Sequence, residues 1–252
     1  MKSKYESLGI LIPSRERINL LKKLLYSLAN TPNSNFLEVV VVSDDCPETF
    51  KVIKEFPLQD KFLKYKPLIT PKRLYTIGTI KFCLDHCDSF LFCWIANDVI
   101  LIRKDWISYL VNSFETLFPD EIGLGSLACP GPAFGITTKK FVEYNDGEAY
   151  HSGYKLHYAD MEIGVRAVLM GRYIQLPVFS NIKHKGGKND IPAVSVGGFY
   201  LNRLRDKKLY QERMKNDFFL DSKKIKNPRA NEILKKLKQG FFEWPCSLNI
   251  SF

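Results

Sequence analysis

The sequence predicts an α/β chain: a mostly parallel sheet covered by helices on both faces, followed by a basic helical C-terminal extension. Three observations carry this. Short apolar runs at 8–13, 38–43 and 90–96 have the length and composition of buried strands. Segments with apolar residues at helical spacing lie between them, such as Ile18, Leu21, Leu24, Leu25 and Leu28. Each run also ends in polar residues, where a strand leaves its sheet: Ser14-Arg15-Glu16-Arg17, Asp44-Asp45 and Asn97-Asp98.

Element by element, strand one is Leu8–Pro13 and its covering helix Ile18–Leu28. The β-branched run Glu38–Ser43 is strand two. Pro47–Phe56 reads as a helix, Phe62–Ile69 as a strand closed by Pro71, and Ile77–Cys87 as a helix. Phe90–Ala96 is uncharged over seven residues and reads as the central strand, buried on both faces. Beyond Asp98 the expectation is a helix at Trp106–Phe118, a strand at Ile122–Ala128 and a Pro/Gly turn at 129–135. A helix at Asp160–Met170 is closed by Gly171, and a short strand follows at Tyr173–Leu176. Lys183–Lys188 reads as a basic flexible loop, and helices at Leu201–Asn216 and Arg229–Gln239 finish the chain.

The 252 residues are 45% hydrophobic, enough for a sizeable core. There is no run of eighteen apolar residues, and Leu8–Pro13 is too short for a signal peptide, so a cytoplasmic protein is expected. Six cysteines without a CxxC agree with a reducing compartment. Cys83, His86, Cys87 and Cys93 cluster in sequence, but core cysteines are the better reading than zinc ligands, because Cys93 lies in the central strand. The net charge is +10, and residues 203–239 hold 13 Lys or Arg against 5 Asp or Glu, a surplus of 8. Such a segment is either a solvated helical face or a surface for an anionic acceptor, nucleic acid or membrane.

In a parallel sheet the polar groups after strands one, two and four emerge on one edge, where α/β folds bind ligands. Neither GxGxxG nor GxxxxGK[ST] occurs, so phosphate bound there needs cations rather than a backbone cradle. Asp98 is a hard oxygen ligand suited to a divalent cation; capping the next turn is its alternative role. Asp160, at the start of a helix, is either an N-cap or a general base for an acceptor hydroxyl. Glu162 is placed either to bind acceptor or to pair with Arg166 at i+4. His184 is a surface residue or a metal ligand in a loop that closes over a diphosphate, with Lys183, Lys185 and Lys188 adding charge.

On these residues the chain resembles the nucleotide-sugar-dependent glycosyltransferases of the GT-A (Rossmann-like) fold, particularly the large inverting family-two group, over about residues 7–187. Pro13-Ser14-Arg15-Glu16-Arg17 resembles that family's PTYNR opening, and Val41–Asp45 its VVDD strand end. Ile95–Val99 is similar to its DxD region in the NNDV form, and Ala159–Arg166 with Gly171 to its EDxDLxxR…G segment. Three positions depart from the pattern: Asn97 replaces a carboxylate, Ala159 replaces the Glu of the ED pair, and 71–78 matches RNxGxxxARN only at Arg73 and Gly78.

The resemblance implies a metal-dependent inverting transferase that moves a sugar from a nucleoside-diphosphate sugar, UDP-linked first, to an acceptor hydroxyl. Pro13, Ser14, Arg15, Glu16, Asp44, Asp45, Arg73, Asn97 and Asp98 would bind the donor. Asp98 and His184 would hold Mn²⁺ or Mg²⁺, and Asp160 would be the catalytic base. Gly135, Glu162 and Arg166 would meet the acceptor. The catalytic domain would span 1–190, with a donor half to about 100 and an acceptor half beyond it, and 191–252 would be the extension. Surface glycan or polysaccharide assembly is the expected setting, with a glycan or lipid-linked acceptor and peripheral contact at the inner membrane face. The alternatives are transfer to a hydroxylated base of nucleic acid and a catalytically inactive GT-A-like binding domain.

Overall fold

The computed structural model describes residues 3–101, 104–127, 133–176, 182–184 and 196–239. The first half runs β1 (Leu8–Ser14), α1 (Ile18–Ala29), β2 (Leu37–Ser43), α2 (Pro47–Lys54), β3 (Lys64–Ile69), α3 (Tyr75–Asp85) and β4 (Leu91–Trp94). It continues with β5 (Val99–Leu101), α4 (Trp106–Leu117), β6 (Leu124–Ser126), β7 (Gly135–Thr138), α5 (Lys139–Tyr144), α6 (Ala159–Leu169) and β8 (Tyr173–Gln175). The strand β9 (Ile182–His184) and the helices α7 (Val196–Lys215) and α8 (Ala230–Lys238) complete it.

The main sheet has seven strands in the order β3-β2-β1-β4-β7-β6-β8. β3, β2, β1 and β4 are mutually parallel, β7 is antiparallel to both of its neighbours, and β8 is parallel to β6. A two-stranded antiparallel ladder joins β5 to β9. The mostly parallel α/β architecture read from the sequence is therefore present.

Alternation along the strands explains the two-sided cover. Ile10, Ile12, Val39 and Val41 pack in one cluster with Leu21, Leu24 and Leu28 of α1 and Leu110 and Phe114 of α4. Leu11, Val40 and Val42 point the other way, into a cluster with Ile80 of α3 and Ile163 of α6. Tyr210 of α7 and Ile233, Leu234 and Leu237 of α8 belong to that second cluster, so the basic helices share the core of the sheet.

Several expectations shift. The central strand stops at Trp94, and Ile95-Ala96 lead out to Asn97. The strand β7 and helix α5 were not foreseen: Gly135 reads as the end of the Pro/Gly turn, and no element is expected from 136 to 144. In place, Thr137 donates to the Gly123 carbonyl at 2.6 Å and Thr138 to that of Glu121 at 2.5 Å, so both hydroxyls are satisfied in a buried strand. His184, expected in a loop, lies in β9. Residues 185–190, with Lys185 and Lys188, and Cys129 and Cys246 lie outside the described residues. Cys83, Cys87 and Cys93 are buried core thiols, and burial pushes the Cys87 thiol up to about 12.

At the edge remote from the strand ends discussed below, Glu38 is a buried carboxylate with a full set of donors. It accepts from the Ser89 N–H and hydroxyl at 2.6 Å each and the Asp88 N–H at 2.9 Å, and pairs with Lys66 at 2.7 Å. Burial alone raises its pKa, but these donors together hold it below the usual range. Its stabilisation is therefore present above the ordinary Glu value and is lost as pH falls through the lowered folded value. Glu38→Ala strands these donors; we expect a loss of about 3 kcal/mol in chemical denaturation at pH 7, and a smaller loss in acid.

Candidate active site

Parallel pairing brings the ends of β2, β1 and β4 to one edge. Ser14 and Ser43 lie opposite each other, and Leu11 lies opposite Trp94. Asn97 donates to the Ser14 hydroxyl at 3.0 Å, tying the end of β4 to β1. The chain then turns with Glu16 at φ 59° and Arg17 at φ 49°, consecutive side-chain-bearing residues in the left-handed region. Such strain persists where surrounding contacts enforce it, commonly at functional sites. Here the Glu16 N–H donates to the Thr49 hydroxyl at 2.9 Å. The turn delivers Arg17 to Asp98, which it contacts at 2.6 Å.

Asp98 is 1% exposed. Immediately beyond it, the β5–β9 ladder sets Val99 opposite His184. The backbone therefore brings the two expected metal ligands to neighbouring positions, although the His184 side chain lies outside the described residues. A carboxylate and an imidazole suit a borderline divalent ion that fills its remaining positions with phosphate and water. No group of three or more His, Cys, Asp or Glu able to hold a metal occurs among the described residues.

The two aspartates after β2 do different jobs. Asp44 is buried, and its carboxylate accepts from the N–H groups of Leu74 at 2.6 Å and Tyr75 at 3.0 Å, opening α3, and from Thr70 at 3.3 Å. Asp45 is exposed, with φ 50°. Arg15 donates to both of their carbonyls, at 2.5 and 2.7 Å. Beside them the Tyr75 ring carries two cations, Arg73 at 4.8 Å and the Lys155 ammonium at 4.9 Å. Pro13 is a strand residue opposite Val42.

Asp160 is the second residue of α6, which follows Tyr158 in a left-handed conformation. Burial pushes its carboxyl above the usual range, against the backbone N–H groups of Met161 and Asp160 itself. Asp160 in turn contributes to holding the buried Tyr150 hydroxyl protonated, and Trp94 at the end of β4 donates to that hydroxyl. The same carboxylate lines a cleft of about 710 Å³ between α6, α7 and α8.

The three residues assigned to an acceptor are engaged elsewhere. Glu162 does not pair with Arg166. It takes a two-pronged contact from Arg213 of α7, at 2.7 and 2.8 Å, and a hydrogen bond from Tyr154 at 2.7 Å. Arg166 donates to Asn145 and to the Phe218 carbonyl, each at 2.7 Å, and pairs with Asp146. Glu162 and Arg166 share a separate cavity of about 220 Å³ that Asp160 does not line. Gly135 lies in β7, where an added Cβ would come within 2.3 Å of the Trp94 ring. Gly135→Ala should therefore cost about 2 kcal/mol by overpacking, read as a lowered denaturation midpoint.

Asp206 and Arg213 escaped the sequence reading, because isolated acids and arginines in a basic helix look solvated. Asp206 is fully buried and accepts from the N–H groups of Lys155, Leu156 and His157, between 2.8 and 3.2 Å. It anchors the loop that leads into α6, and Arg213, seven residues on, clamps the helix itself. Their spacing of two helical turns was the available signal.

No protein-family model matches the chain, and no curated protein does. Solved structures do. Mannosyltransferase PcManGT from Pyrobaculum calidifontis, in complex with GDP-Man and Mn²⁺, is similar over 98% of this chain and 73% of its own, with a TM-score of 0.67 and 14% identity. S. aureus TarS 1-349 in complex with UDP-GlcNAc is similar over 98% of this chain and 76% of its own, with a TM-score of 0.63 and 15% identity. The chain has the GT-A-like fold of these glycosyltransferases, and the likeness extends through α7 and α8.

Proposed function

We propose that the chain is a metal-dependent inverting glycosyltransferase. The observation that carries this is the convergence of Ser14, Asp45, Asn97 and Asp98 on one sheet edge, with a desolvated Asp160 at the entry to a cleft. The donor is a nucleoside-diphosphate sugar, as in the PcManGT and TarS complexes, with a UDP-sugar first among candidates. Asp45, Ser14 and Arg15 bind the nucleoside, and Arg73 and Lys155 face the donor from the α3 side. Asp98 and His184 would hold Mn²⁺ or Mg²⁺, which would offset charge on the departing diphosphate.

Asp160 accepts the proton of the acceptor hydroxyl. The acceptor oxygen bonds to the anomeric carbon as that carbon's bond to the diphosphate breaks, and the electron pair leaves with the diphosphate. Attack from the opposite face inverts the centre. Retention of a desolvated Asp160 favours an enzyme over a binding-only domain.

A glycan acceptor fits better than nucleic acid, because several of the C-terminal cations are engaged in local ion pairs. Arg213 pairs with Glu162, Lys224 with Asp146, Lys238 with Asp217, and Arg229 and Lys236 with Glu232. Surface glycan assembly is the setting we propose. Among the described residues no helix is long and apolar enough to cross a membrane. The test is NMR of the anomeric centre after turnover of an α-linked nucleotide sugar: the account expects a β product, and a retained α product would refute inversion.

A further inference from the structure

The cleft of about 710 Å³ beside Asp160 has two chemically different walls. Arg203, Lys207, Gln211 and Met214 follow one another at i, i+4, i+8 and i+11 along α7, so they form one face of that helix. Arg203 and Lys207 head this face, and neither has an acidic partner among the described residues, Asp160 included. Their neighbours differ: Arg205 lies against Asp206 at 3.4 Å, and Arg213 is clamped by Glu162. Two cations one turn apart in a concave site, without an acidic partner among the described residues, make a locus for a phosphate group.

The other wall is aromatic and apolar, with Tyr158, Tyr210 and Met161. Tyr158 and Tyr210 lie with ring centroids 5.4 Å apart. Tyr210 is 4% exposed, and its hydroxyl has no hydrogen-bond partner. The half-buried Tyr158 ring can cover the C–H face of a sugar, with the buried Tyr210 ring backing it.

The helix that bears the cations is fixed against the loop entering α6 independently of any ligand. Buried Asp206 lies between them in sequence and takes three backbone N–H groups of the loop entering α6. Phosphate wall, sugar wall and Asp160 are therefore parts of one braced unit.

We infer that this cleft is an acceptor subsite for a phosphorylated sugar, with Arg203 and Lys207 on the phosphate, Tyr158 on the ring, and a hydroxyl presented to Asp160. This rests on the glycosyltransferase reading for the role of Asp160, but not for the ligand chemistry of the cleft. A sugar phosphate free in solution offers a phosphomonoester and one borne on a lipid a phosphodiester; both present anionic phosphate oxygens to the two cations. A nucleic-acid strand fits less well, because the two cations sit inside a concavity rather than along a track.

The test is calorimetric titration of the full chain with glucose, glucose 6-phosphate and citronellyl phosphoglucose, and with a single-stranded oligonucleotide. It is run on wild type, Arg203→Gln, Lys207→Gln and the double variant. Both phosphate probes should bind more tightly than glucose, with the tighter of the two naming the source. Each substitution should weaken them about tenfold, and the pair about a hundredfold. Equal binding of glucose and its phosphate, or full binding by the double variant, overturns the subsite. Tighter capture of the oligonucleotide than of either sugar phosphate overturns it in favour of nucleic acid. A parallel titration with UDP-GlcNAc and Mn²⁺ separates the two claims. Unchanged donor binding in a double variant that has lost the sugar phosphate supports the subsite and confirms folding. Absence of donor binding in wild type sinks the transferase reading, while the sugar-phosphate result still decides the ligand of the cleft.

Discussion

Asp160→Asn is expected to lower transfer by about a thousandfold, the scale of a general base, and to leave the protein more stable at neutral pH. The rate effect follows from the proposed role as base, and the stability effect from the upward push of burial on this carboxyl. A folded pKa above the unfolded value of 3.8 means that the native state binds the extra proton between the two. Stability contributed by this group is thus full below 3.8 and is lost as pH rises through the folded value. The amide cannot ionise, so the variant escapes that loss while its oxygen still accepts from the Met161 N–H. Thermal denaturation at pH 7 should show the variant melting higher, and the difference should vanish in strong acid. In wild type, kcat/KM should fall in acid with a midpoint above that of an ordinary aspartate. A variant that keeps its rate, or melts lower at pH 7, contradicts the assignment.

Asp98→Ala is expected to weaken Mn²⁺ binding in the presence of nucleoside diphosphate by at least about a hundredfold. Buried beside Arg17, this carboxylate is the proposed anionic ligand, four residues beyond the end of β4. Metal and guanidinium compete for one carboxylate, so Arg17→Gln should bind Mn²⁺ more tightly than wild type. Losing Asp98 also leaves Arg17 without this partner, so the variant's fold is checked separately by denaturation. Titration by manganese paramagnetic resonance reads both variants. Wild-type manganese affinity in Asp98→Ala would remove the residue from the metal site.

The strands that position this site were legible because β1, β2 and β4 are buried on both faces and carry near-continuous apolar runs. Strand β7 was illegible for the opposite reason. Its glycine and threonines become strand residues only once Trp94 and the carbonyls of Gly123 and Glu121 are placed beside them. Asp44 shows a different limit. A carboxylate at a strand end reads as a ligand for substrate, but this one caps a helix thirty residues on, at Leu74. Glu162 and Arg166 have helical spacing for a pair, but each found a partner distant in sequence, Arg213 and Asn145. Local periodicity reports which face is buried, not which distant group will meet it there.

The most direct test of the account is calorimetric titration of the wild-type chain with UDP-GlcNAc and GDP-mannose, with and without Mn²⁺. The account predicts saturable binding of at least one nucleotide sugar that depends on the metal and is lost in Asp98→Ala. Absence of binding to either donor with Mn²⁺ or Mg²⁺ present, in protein shown to be folded, would contradict it.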